Sequence, residues 1–393
     1  MADDFRADLE GELESIKRRG RYRFLRDIGT PARVEITIGD KKYLNFSSND
    51  YLGFATSDQL IDSLGAIGEK WGIGSGASRL ICGNMEVHGD LERRIAAFKG
   101  TESGLVFSSG YMANLGIVST LGTPRTTVFS DELNHASIID GCRLSRARVK
   151  VYRHADPGHL EELISTDDGE RKLIITDGVF SMDGDIAPLP DLCYLKEKYG
   201  AILVVDDAHA TGVLGSGGRG TASHFGLSDK VDIQMGTFSK AIGTYGAFIC
   251  CDAVVRDYFI NRCRPLIFNT AIPPLIAALT IRALDMLEED PQIVDILRGK
   301  VKRFTAVLAN HGVDVQSETP IIPVIIGSDE RTLKISEALL REGYFVYGVR
   351  PPTVPEGTAR LRVTLSAAHR DDQVEGCAEK IAGLMAALGG DGA

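Results

Sequence analysis

From about residue 46 onward, short runs of β-branched and apolar residues alternate with stretches that have the apolar spacing of helices. This alternation predicts an α/β fold with a mainly parallel sheet, because each helix returns the chain to start another parallel strand. The runs at 232–235 and 245–251 are separated by a loop too short for a crossover helix, so the later strand is expected to run antiparallel. The remaining predictions are strands at 104–108, 127–129, 173–176 and 202–206 and helices at 87–98 and 189–199.

Two changes of pattern divide the chain into three expected parts. Residues 1–45 are expected to form a helix, over about the first 30 residues, and then a small hairpin that turns at Gly39 and Asp40. Residues 46–285 are expected to form a large domain, and residues 286–393 a smaller α+β domain. The elements predicted in the last part are strands near 322–326, 345–349 and 361–365 and helices to about 311, at 331–342 and at 371–388.

The charge balance is acidic, with 54 Asp and Glu against 44 Lys and Arg and a net charge of −10. Such a chain repels phosphate backbones, so nucleic acid is not an expected partner. A basic run from Lys17 to Arg26 opposes this balance. It is either the solvated face of an N-terminal helix or the source of an arginine that meets an anionic substrate.

The seven cysteines form no C-x-x-C pair and have none of the spacings of a zinc site, so no metal is predicted. Unpatterned thiols are typical of a reducing cytoplasm. No apolar run reaches membrane-spanning length, and the N-terminus does not resemble a signal peptide. We therefore expect a soluble cytoplasmic protein that has no membrane partner.

Reactive side chains follow two of the predicted strands at their carboxyl ends, where ligands gather in open α/β sheets. One strand ends in Asp206 and is followed by His209, and the next leads through Thr237 to Lys240. Alone, Asp206 would also suit a helix cap and His209 a core position. A lysine among apolar residues is less expected, because burial lowers the pKa of the amine and makes it a nucleophile.

Together the two strand ends supply the groups that a pyridoxal phosphate site needs. Lys240 is the amine for the cofactor's aldehyde, and Asp206 is the anion for the protonated pyridine nitrogen. His209 can reach the ring phenolate, and His135, which follows another strand, can lie over the ring. Gly110 should open a helix whose backbone N–H groups face the phosphate.

With these residues in this order, the chain resembles the α-oxoamine synthases, a branch of the fold-type I pyridoxal-phosphate enzymes. The resemblance implies a large domain with a mainly parallel seven-stranded sheet, a smaller α+β C-terminal domain, and a homodimer with a shared active site. The segments that carry it are Asn45-Phe-Ser-Ser-Asn49-Asp50-Tyr51-Leu52-Gly53, Gly74-Ser-Gly76, Ser109-Gly-Tyr-Met-Ala-Asn114, Asn134-His135-Ala-Ser137, Gly178-Val-Phe-Ser181-Met-Asp-Gly184, Asp206-Asp-Ala-His209, Gly236-Thr-Phe-Ser-Lys240 and Arg360-Leu-Arg362.

The resemblance also implies roles around the cofactor. Lys240 binds it covalently and later moves the substrate's Cα proton, while Asp206 pairs with the pyridine nitrogen. His209 donates to the ring phenolate, and His135 stacks on the ring. The other implied cofactor contacts are the backbone amides of Gly110 and Tyr111, the hydroxyl of Thr237, Ser181 beside the ring, and Thr270 from a segment that reaches the neighbouring subunit's phosphate.

For the substrates, the resemblance implies that Asn49 orients the amino acid and that Arg362 clamps its carboxylate, a task that suits a planar guanidinium fork. Arg360 is equally placed in the segment, but it can instead form a structural ion pair. Arg23 falls near a family arginine that is associated with the far end of the acyl substrate.

Family members differ in the two substrates that they join. Segments 319–327 and 350–362 are most similar to the branch in biotin biosynthesis, which condenses L-alanine with a pimeloyl thioester of CoA or acyl carrier protein. That reaction gives 8-amino-7-oxononanoate, CO2 and free thiol. Segments 236–240 and 263–268 lean towards serine palmitoyltransferases, and glycine C-acetyltransferase and 5-aminolevulinate synthase follow as alternatives. An aminotransferase and a catalytically silent protein are the alternatives of other classes.

Overall fold

The computed structural model describes residues 3–388, along which helices and strands alternate. The helices are α1 (Asp3–Arg18), α2 (Asp58–Trp71), α3 (Glu86–Lys99), α4 (Gly110–Leu121), α5 (Ala136–Leu144), α6 (Pro157–Ser165), α7 (Leu189–Tyr199), α8 (Thr221–His224), α9 (Ala253–Arg262), α10 (Arg264–Ile267), α11 (Pro274–Glu289), α12 (Gln292–Asn310), α13 (Asp329–Arg341) and α14 (Asp371–Ala387). The strands are β1 (Glu35–Ile38), β2 (Lys41–Asn45), β3 (Ser103–Phe107), β4 (Thr126–Asp131), β5 (Arg148–Tyr152), β6 (Arg171–Asp177), β7 (Ile202–Asp206), β8 (Ile233–Thr237), β9 (Ala247–Cys251), β10 (Ile321–Gly327), β11 (Tyr344–Phe345), β12 (Tyr347–Val349) and β13 (Ala359–Thr364).

A seven-stranded sheet in the order β3-β9-β8-β7-β6-β4-β5 forms the centre of the molecule. The pairs from β8 to β5 are parallel, whereas β9 runs antiparallel to both β8 and β3. The prediction of a mainly parallel sheet with one reversed strand is therefore confirmed. The sequence did not predict β5, because this strand lies at the sheet edge and most of its side chains are exposed.

Both faces of the central sheet are covered, as expected for parallel strands joined by helices. Along β7, Val204 packs in one buried cluster with residues of α4 and α5, and Leu203 and Val205 pack in another with residues of α6 and α7. Because side chains alternate along a strand, Asp206 at the end of β7 points to the same face as Val204. This alternation directs the Asp206 carboxylate towards α4.

Two three-stranded sheets complete the fold, in the orders β1-β2-β11 and β10-β13-β12. The hairpin of β1 and β2 confirms the turn predicted at Gly39 and Asp40. The prediction of one strand at 345–349 is wrong, because β11 pairs with β2 while β12 pairs with β13. One buried cluster joins side chains from Phe46 to Ala382, and the three-part division of the chain stays a prediction.

The N-terminal helix ends at Arg18, so the prediction of a helix over about 30 residues is wrong. Gly20 follows with a φ of +65°, which breaks the helical path, and the Arg350 side chain donates to its carbonyl oxygen. The segment beyond it lies across the C-terminal part of the chain, where Nη2 of Arg21 is 2.6 Å from Oε1 of Glu356. Part of the basic run thus lies outside the helix.

None of the helices within residues 3–388 combines the length and the apolar character needed to cross a membrane. Over the same range, no group of His, Cys, Asp or Glu side chains is arranged to hold a metal ion. All seven cysteines are free thiols, six of them buried and Cys82 exposed.

Candidate active site

One cavity of about 200 Å³ lies at the carboxyl ends of β7 and β8 and is closed on one side by the first turn of α4. Its position agrees with the expectation that the reactive side chains of two strand ends meet. The predicted residues that line it are Gly110, Tyr111, His135, Asp206, His209, Thr237 and Lys240.

A second cavity of about 710 Å³ lies beside the first and shares His135, His209 and Lys240 with it. Its wall contains the predicted substrate residues Arg23, Asn49 and Arg362 together with Ser181. Thr270 lies on neither wall and forms an isolated bridge with Ser78. The fold therefore brings every predicted site residue except Thr270 to one place.

Asp206 is held by two hydrogen bonds that orient its carboxylate. Oδ2 accepts from Nδ2 of Asn114 at 2.6 Å, and Oδ1 accepts from the backbone N–H of Ala208 at 2.8 Å. The same Asn114 amide donates to Oγ of Ser137 at 2.9 Å, and that hydroxyl lies 2.8 Å from Nδ1 of His135. Asn114 and Ser137 thus connect the carboxylate to the histidine.

Sequence reasoning assigned no role to Asn114 or Ser137, although a signal for Asn114 was present. Gly110 and Asn114 are four residues apart on α4, so both lie on the helix face that closes the cavity. A polar residue one turn after the glycine of a helix N-terminus was therefore a candidate.

Burial favours the neutral form of both cavity histidines. Burial lowers the pKa of His209 well below its ordinary value, and the positive charges of Lys240 and Arg362 add to the effect. Burial also lowers the pKa of His135, against an opposing effect of Asp206. Nδ1 of His209 lies 2.8 Å from the phenol oxygen of Tyr51, and that phenol lies 3.2 Å from Oδ1 of Asn49.

Lys240 lies in the loop between β8 and β9. Burial lowers the pKa of its amine and Arg362 lowers it further, while Asp206 and Asp177 raise it. Among residues 3–388, its Nζ atom has no hydrogen bond or ion pair. A lysine amine with a lowered pKa and no partner is suited to covalent chemistry with a carbonyl group.

Asp177 is a second buried carboxyl group in the first cavity, and sequence reasoning missed it. It ends β6 directly opposite Asp206 in the parallel pairing. Burial, followed by the negative charge of Asp206, raises the pKa of Asp177 well above its ordinary value. This closeness of two buried carboxyl groups depends on strand order and not on local sequence.

Arg362 is buried on β13 and is held from two sides. Its Nε donates to the carbonyl oxygen of Ser181 at 2.6 Å, and its Nη1 donates to Oδ1 of Asn49 at 3.2 Å. The guanidinium plane is thereby fixed at the wall of the second cavity. Arg360 points elsewhere and pairs with Asp183, which is the structural role that the sequence left open for it.

The start of α4 provides an anion site at the other end of the first cavity. Ser109 caps the helix, its Oγ accepting from the backbone N–H of Met112 at 3.3 Å, and the free N–H groups of the first turn face the cavity. A Cβ atom at Gly110 would lie 2.7 Å from Cγ2 of Thr237, so glycine is required for this close approach. The Tyr111 phenol donates to Asp140, which leaves its backbone amide as the group available at the helix start.

Arg23 is exposed, and its Nη2 donates to Oγ1 of Thr353 at 3.1 Å. It also lies on the wall of a third cavity of about 310 Å³, which shares Arg23 and Arg362 with the second one. Arg21 and Arg350 line this third cavity together with the apolar side chains of Phe345 and Val349. The second and third cavities thus meet at Arg23 and Arg362, and the wall of the third combines apolar side chains with arginines.

Comparisons with known proteins agree with this geometry. The family model of class I and II aminotransferases matches residues 41–381. An 8-amino-7-oxononanoate synthase from Citrifermentans bemidjiense is 47% identical, over 96% of this chain and 97% of the relative.

Solved structures match over almost the whole chain. A structure of SPT with pyridoxal phosphate as an internal aldimine aligns with a TM-score of 0.92 at 31% identity, over 97% of this chain and 98% of that chain. A serine palmitoyltransferase from Sphingomonas wittichii aligns with a TM-score of 0.92 at 31% identity, over 97% of both chains.

Proposed function

The chain belongs to the class I and II aminotransferase family and, within it, to the α-oxoamine synthases, and we propose that it condenses L-alanine with a pimeloyl thioester. The products are 8-amino-7-oxononanoate, CO2 and free thiol, and the cofactor is pyridoxal 5'-phosphate. The observation that carries the proposal is one cavity that holds an unpaired lysine amine and an oriented carboxylate and continues to a buried arginine. The full-length similarity to 8-amino-7-oxononanoate synthases points to the same reaction.

The residues of the first cavity fit this cofactor. Lys240 offers an amine to the aldehyde, Asp206 an anion to the pyridine nitrogen, and the start of α4 a set of N–H donors to the phosphate. His209 would donate to the ring phenolate, and His135 would cover the ring face. When bound, pyridoxal phosphate withdraws electrons from the Cα atom of the amino acid, which lets that atom lose a proton and attack a carbonyl carbon.

The protein's own residues then have separate roles in proton transfer and in substrate binding. Lys240 takes the Cα proton, since its lowered pKa favours the neutral amine that can accept one. Arg362 and Asn49 hold the amino-acid carboxylate, so that Cα is presented to Lys240. In the net reaction, a bond forms between Cα and the acyl carbonyl carbon as the thiol leaves, the bond from Cα to the carboxyl carbon breaks to release CO2, and a proton is added to Cα to complete the α-oxoamine.

The third cavity favours an acyl chain that ends in a carboxylate. Its apolar wall suits methylene groups, and Arg21, Arg23 and Arg350 suit a negative charge at the far end. Pimeloyl has both features, whereas palmitoyl lacks the terminal charge and acetyl lacks the chain. Either CoA or an acyl carrier protein can carry this thioester.

We also propose that the enzyme is a homodimer with shared active sites and that it works in the cytoplasm. Thr270 lies outside both site cavities and bridges to Ser78, and the two chain segments that this bridge joins carry the exposed side chains of Phe268, Ile73 and Ile81. These apolar groups would be covered by the partner, and Thr270 would then reach the partner's phosphate site. The free thiols of all seven cysteines support a reducing compartment.

The test is thiol release from pimeloyl, acetyl, succinyl and palmitoyl thioesters, each offered with alanine, glycine or serine. We expect the highest kcat/KM for pimeloyl with alanine, with equal amounts of thiol and CO2, and no turnover by Lys240→Ala. Preference for another pair contradicts the proposed substrates, and release of a keto acid without CO2 would identify an aminotransferase instead. For the dimer, light scattering gives the mass, and mixing Lys240→Ala with Thr270→Ala chains tests whether the sites are shared.

A further inference from the structure

Building on the proposed function, we infer that His154, held between Asp131 and Asp185, is a positioning residue that fixes the loop carrying His135 against the loop carrying Ser181. His154 lines neither site cavity and so would not touch cofactor or substrate. It follows β5, the edge strand, whereas the two loops that it joins follow β4 and β6.

Both ring nitrogens of His154 contact a carboxylate. Nδ1 lies 3.1 Å from Oδ1 of Asp131, and Nε2 lies 2.8 Å from Oδ2 of Asp185. The imidazole and the Phe180 ring form a T-shaped pair, with centroids 4.4 Å apart and planes at 87°. The backbone N–H of His154 donates to Oε1 of Glu132 at 2.9 Å, so the residue is fixed at both its main chain and its side chain.

On the first side, Asp131 shapes the turn that leads to His135. Its Oδ1 also accepts from the backbone N–H of Leu133 at 2.9 Å, and its Oδ2 accepts from that of Ala155 at 2.8 Å. The turn closes with the N–H of Asn134 on the Asp131 carbonyl oxygen. Because His135 is the next residue and caps α5, a shift of the Asp131 side chain would move His135 in the cavity.

On the second side, Asp185 belongs to a tight turn that contains Ser181. The N–H of Phe180 donates to the Asp185 carbonyl oxygen at 3.0 Å, and the N–H of Gly184 donates to that of Phe180 at 2.8 Å. The Ser181 carbonyl oxygen in this turn accepts from Nε of Arg362. His154 is therefore linked to the proposed carboxylate clamp through Asp185, the hydrogen-bonded turn that joins Asp185 to Phe180, and the next residue, Ser181.

The charge of His154 matters because a neutral imidazole has one N–H and can donate to only one of the two carboxylates. Burial opposes the charge, but the hydrogen bonds with Asp131 and Asp185 outweigh it and raise the pKa of His154 to about 10. On its own loop, the nearest charged side chains, Arg153 and Asp156, pair with each other at 2.8 Å. At neutral pH the ring therefore donates to both loops at once.

The experiment is a titration of the cofactor-loaded protein with L-alanine. The absorption and circular dichroism of the bound cofactor are recorded at each alanine concentration. These two signals report how the amino acid and the cofactor ring are held before any thioester is added. For His154→Gln we expect the half-saturating alanine concentration to rise about tenfold, as for the loss of a typical charged hydrogen bond, with a weaker cofactor dichroism. The control His311→Gln changes an exposed histidine at the end of α12 and should match the wild type.

The route through Asp185 gives a second test that separates positioning from general destabilisation. Asp185→Asn weakens the same contact, so the double variant should lose little beyond either single variant. Additive losses contradict the inference, and so does a His154→Gln protein with wild-type titration and dichroism. If His154→Gln does not fold, Asp185→Asn carries the test, since its side chain is 39% exposed and tolerates a neutral amide.

These outcomes are distinct from a failure of the proposed function. A wild-type protein that responds to glycine or serine but not to alanine contradicts the proposed substrate. The same comparison of variants is then made with the amino acid that binds.

Discussion

Nδ2 of Asn114 lies 2.6 Å from Oδ2 of Asp206, and this hydrogen bond ties the first turns of α4 to the end of β7. Asn114 is almost fully buried, and its other amide hydrogen reaches Ser137. Its two donors thus fix the carboxylate and, through Ser137, the ring of His135. One amide side chain therefore helps to orient both the Asp206 carboxylate and the His135 ring.

Replacing Asn114 with alanine should weaken cofactor binding. The change removes a hydrogen bond to a charged group, worth about 1.5–3 kcal/mol, so the Kd of pyridoxal phosphate for the apoprotein should rise by about tenfold to a hundredfold. Absorbance titration of the apoprotein measures this Kd. Ser119→Ala, on the same helix but hydrogen-bonded only to the backbone of its own turn, is the control. An unchanged Kd for Asn114→Ala would refute the role.

Arg362→Lys should raise the KM for L-alanine by about tenfold or more while changing the KM for the acyl thioester less. Lysine keeps the charge but loses the planar fork that Ser181 and Asn49 hold in place. Steady-state kinetics with each substrate varied in turn measures the two constants. Arg370→Lys, which alters an exposed pair with Asp372, should leave both unchanged. Equal increases in the two constants would argue against a clamp for the amino acid.

Lys99→Met should destabilise the fold through the buried ion pair with Asp207. Both side chains are fully buried, and Nζ of Lys99 lies 2.8 Å from Oδ2 of Asp207. Loss of the cation leaves a buried carboxylate without its partner, which costs about 3–5 kcal/mol. Denaturant unfolding of the apoprotein measures the loss. Lys198→Met breaks a half-exposed pair with Glu161 and should cost no more than about 1 kcal/mol. Similar losses for both variants would contradict this prediction.

The hydrogen bonds of His154 with Asp131 and Asp185 should stabilise the fold less as the pH becomes alkaline. The pKa of His154 is raised from its ordinary 6.5 to about 10 in the folded protein. The contribution of protonated His154 to the free energy of unfolding is therefore complete below about pH 6.5 and is lost as the pH rises through about 10. The difference in melting temperature between wild type and His154→Gln should shrink across this interval. A difference that stays constant from neutral pH to above the folded pKa would be inconsistent with a charged ring.

The sequence predicted the residues at the strand ends well, because each of them lies in or shortly after the apolar run that forms its strand. An apolar run fixes β7, and the residue after it is Asp206; the same holds for β8 and the loop with Lys240. His135, at the start of α5, was predicted in the same way.

The rest of the site depends on which strands are neighbours. β4 lies between β6 and β5, and this order brings the loops after all three strands together around His154. Asp177 faces Asp206 only because β6 pairs with β7 in that register. Neither relationship has a local sequence signal. The end of α1 did have one in Gly20, but the basic residues that continue past it obscured the boundary.

The reversal of β9 has a consequence for how Lys240 is held. The connection from β8 doubles back, and its two ends are joined where the N–H of Phe238 meets the carbonyl oxygen of Gly246 at 2.9 Å. Lys240 thus lies in a loop whose two ends are hydrogen-bonded to each other, and not at the start of a helix. Rotation about the side-chain bonds of Lys240 would move its amine while the hydrogen-bonded ends of this loop stay joined.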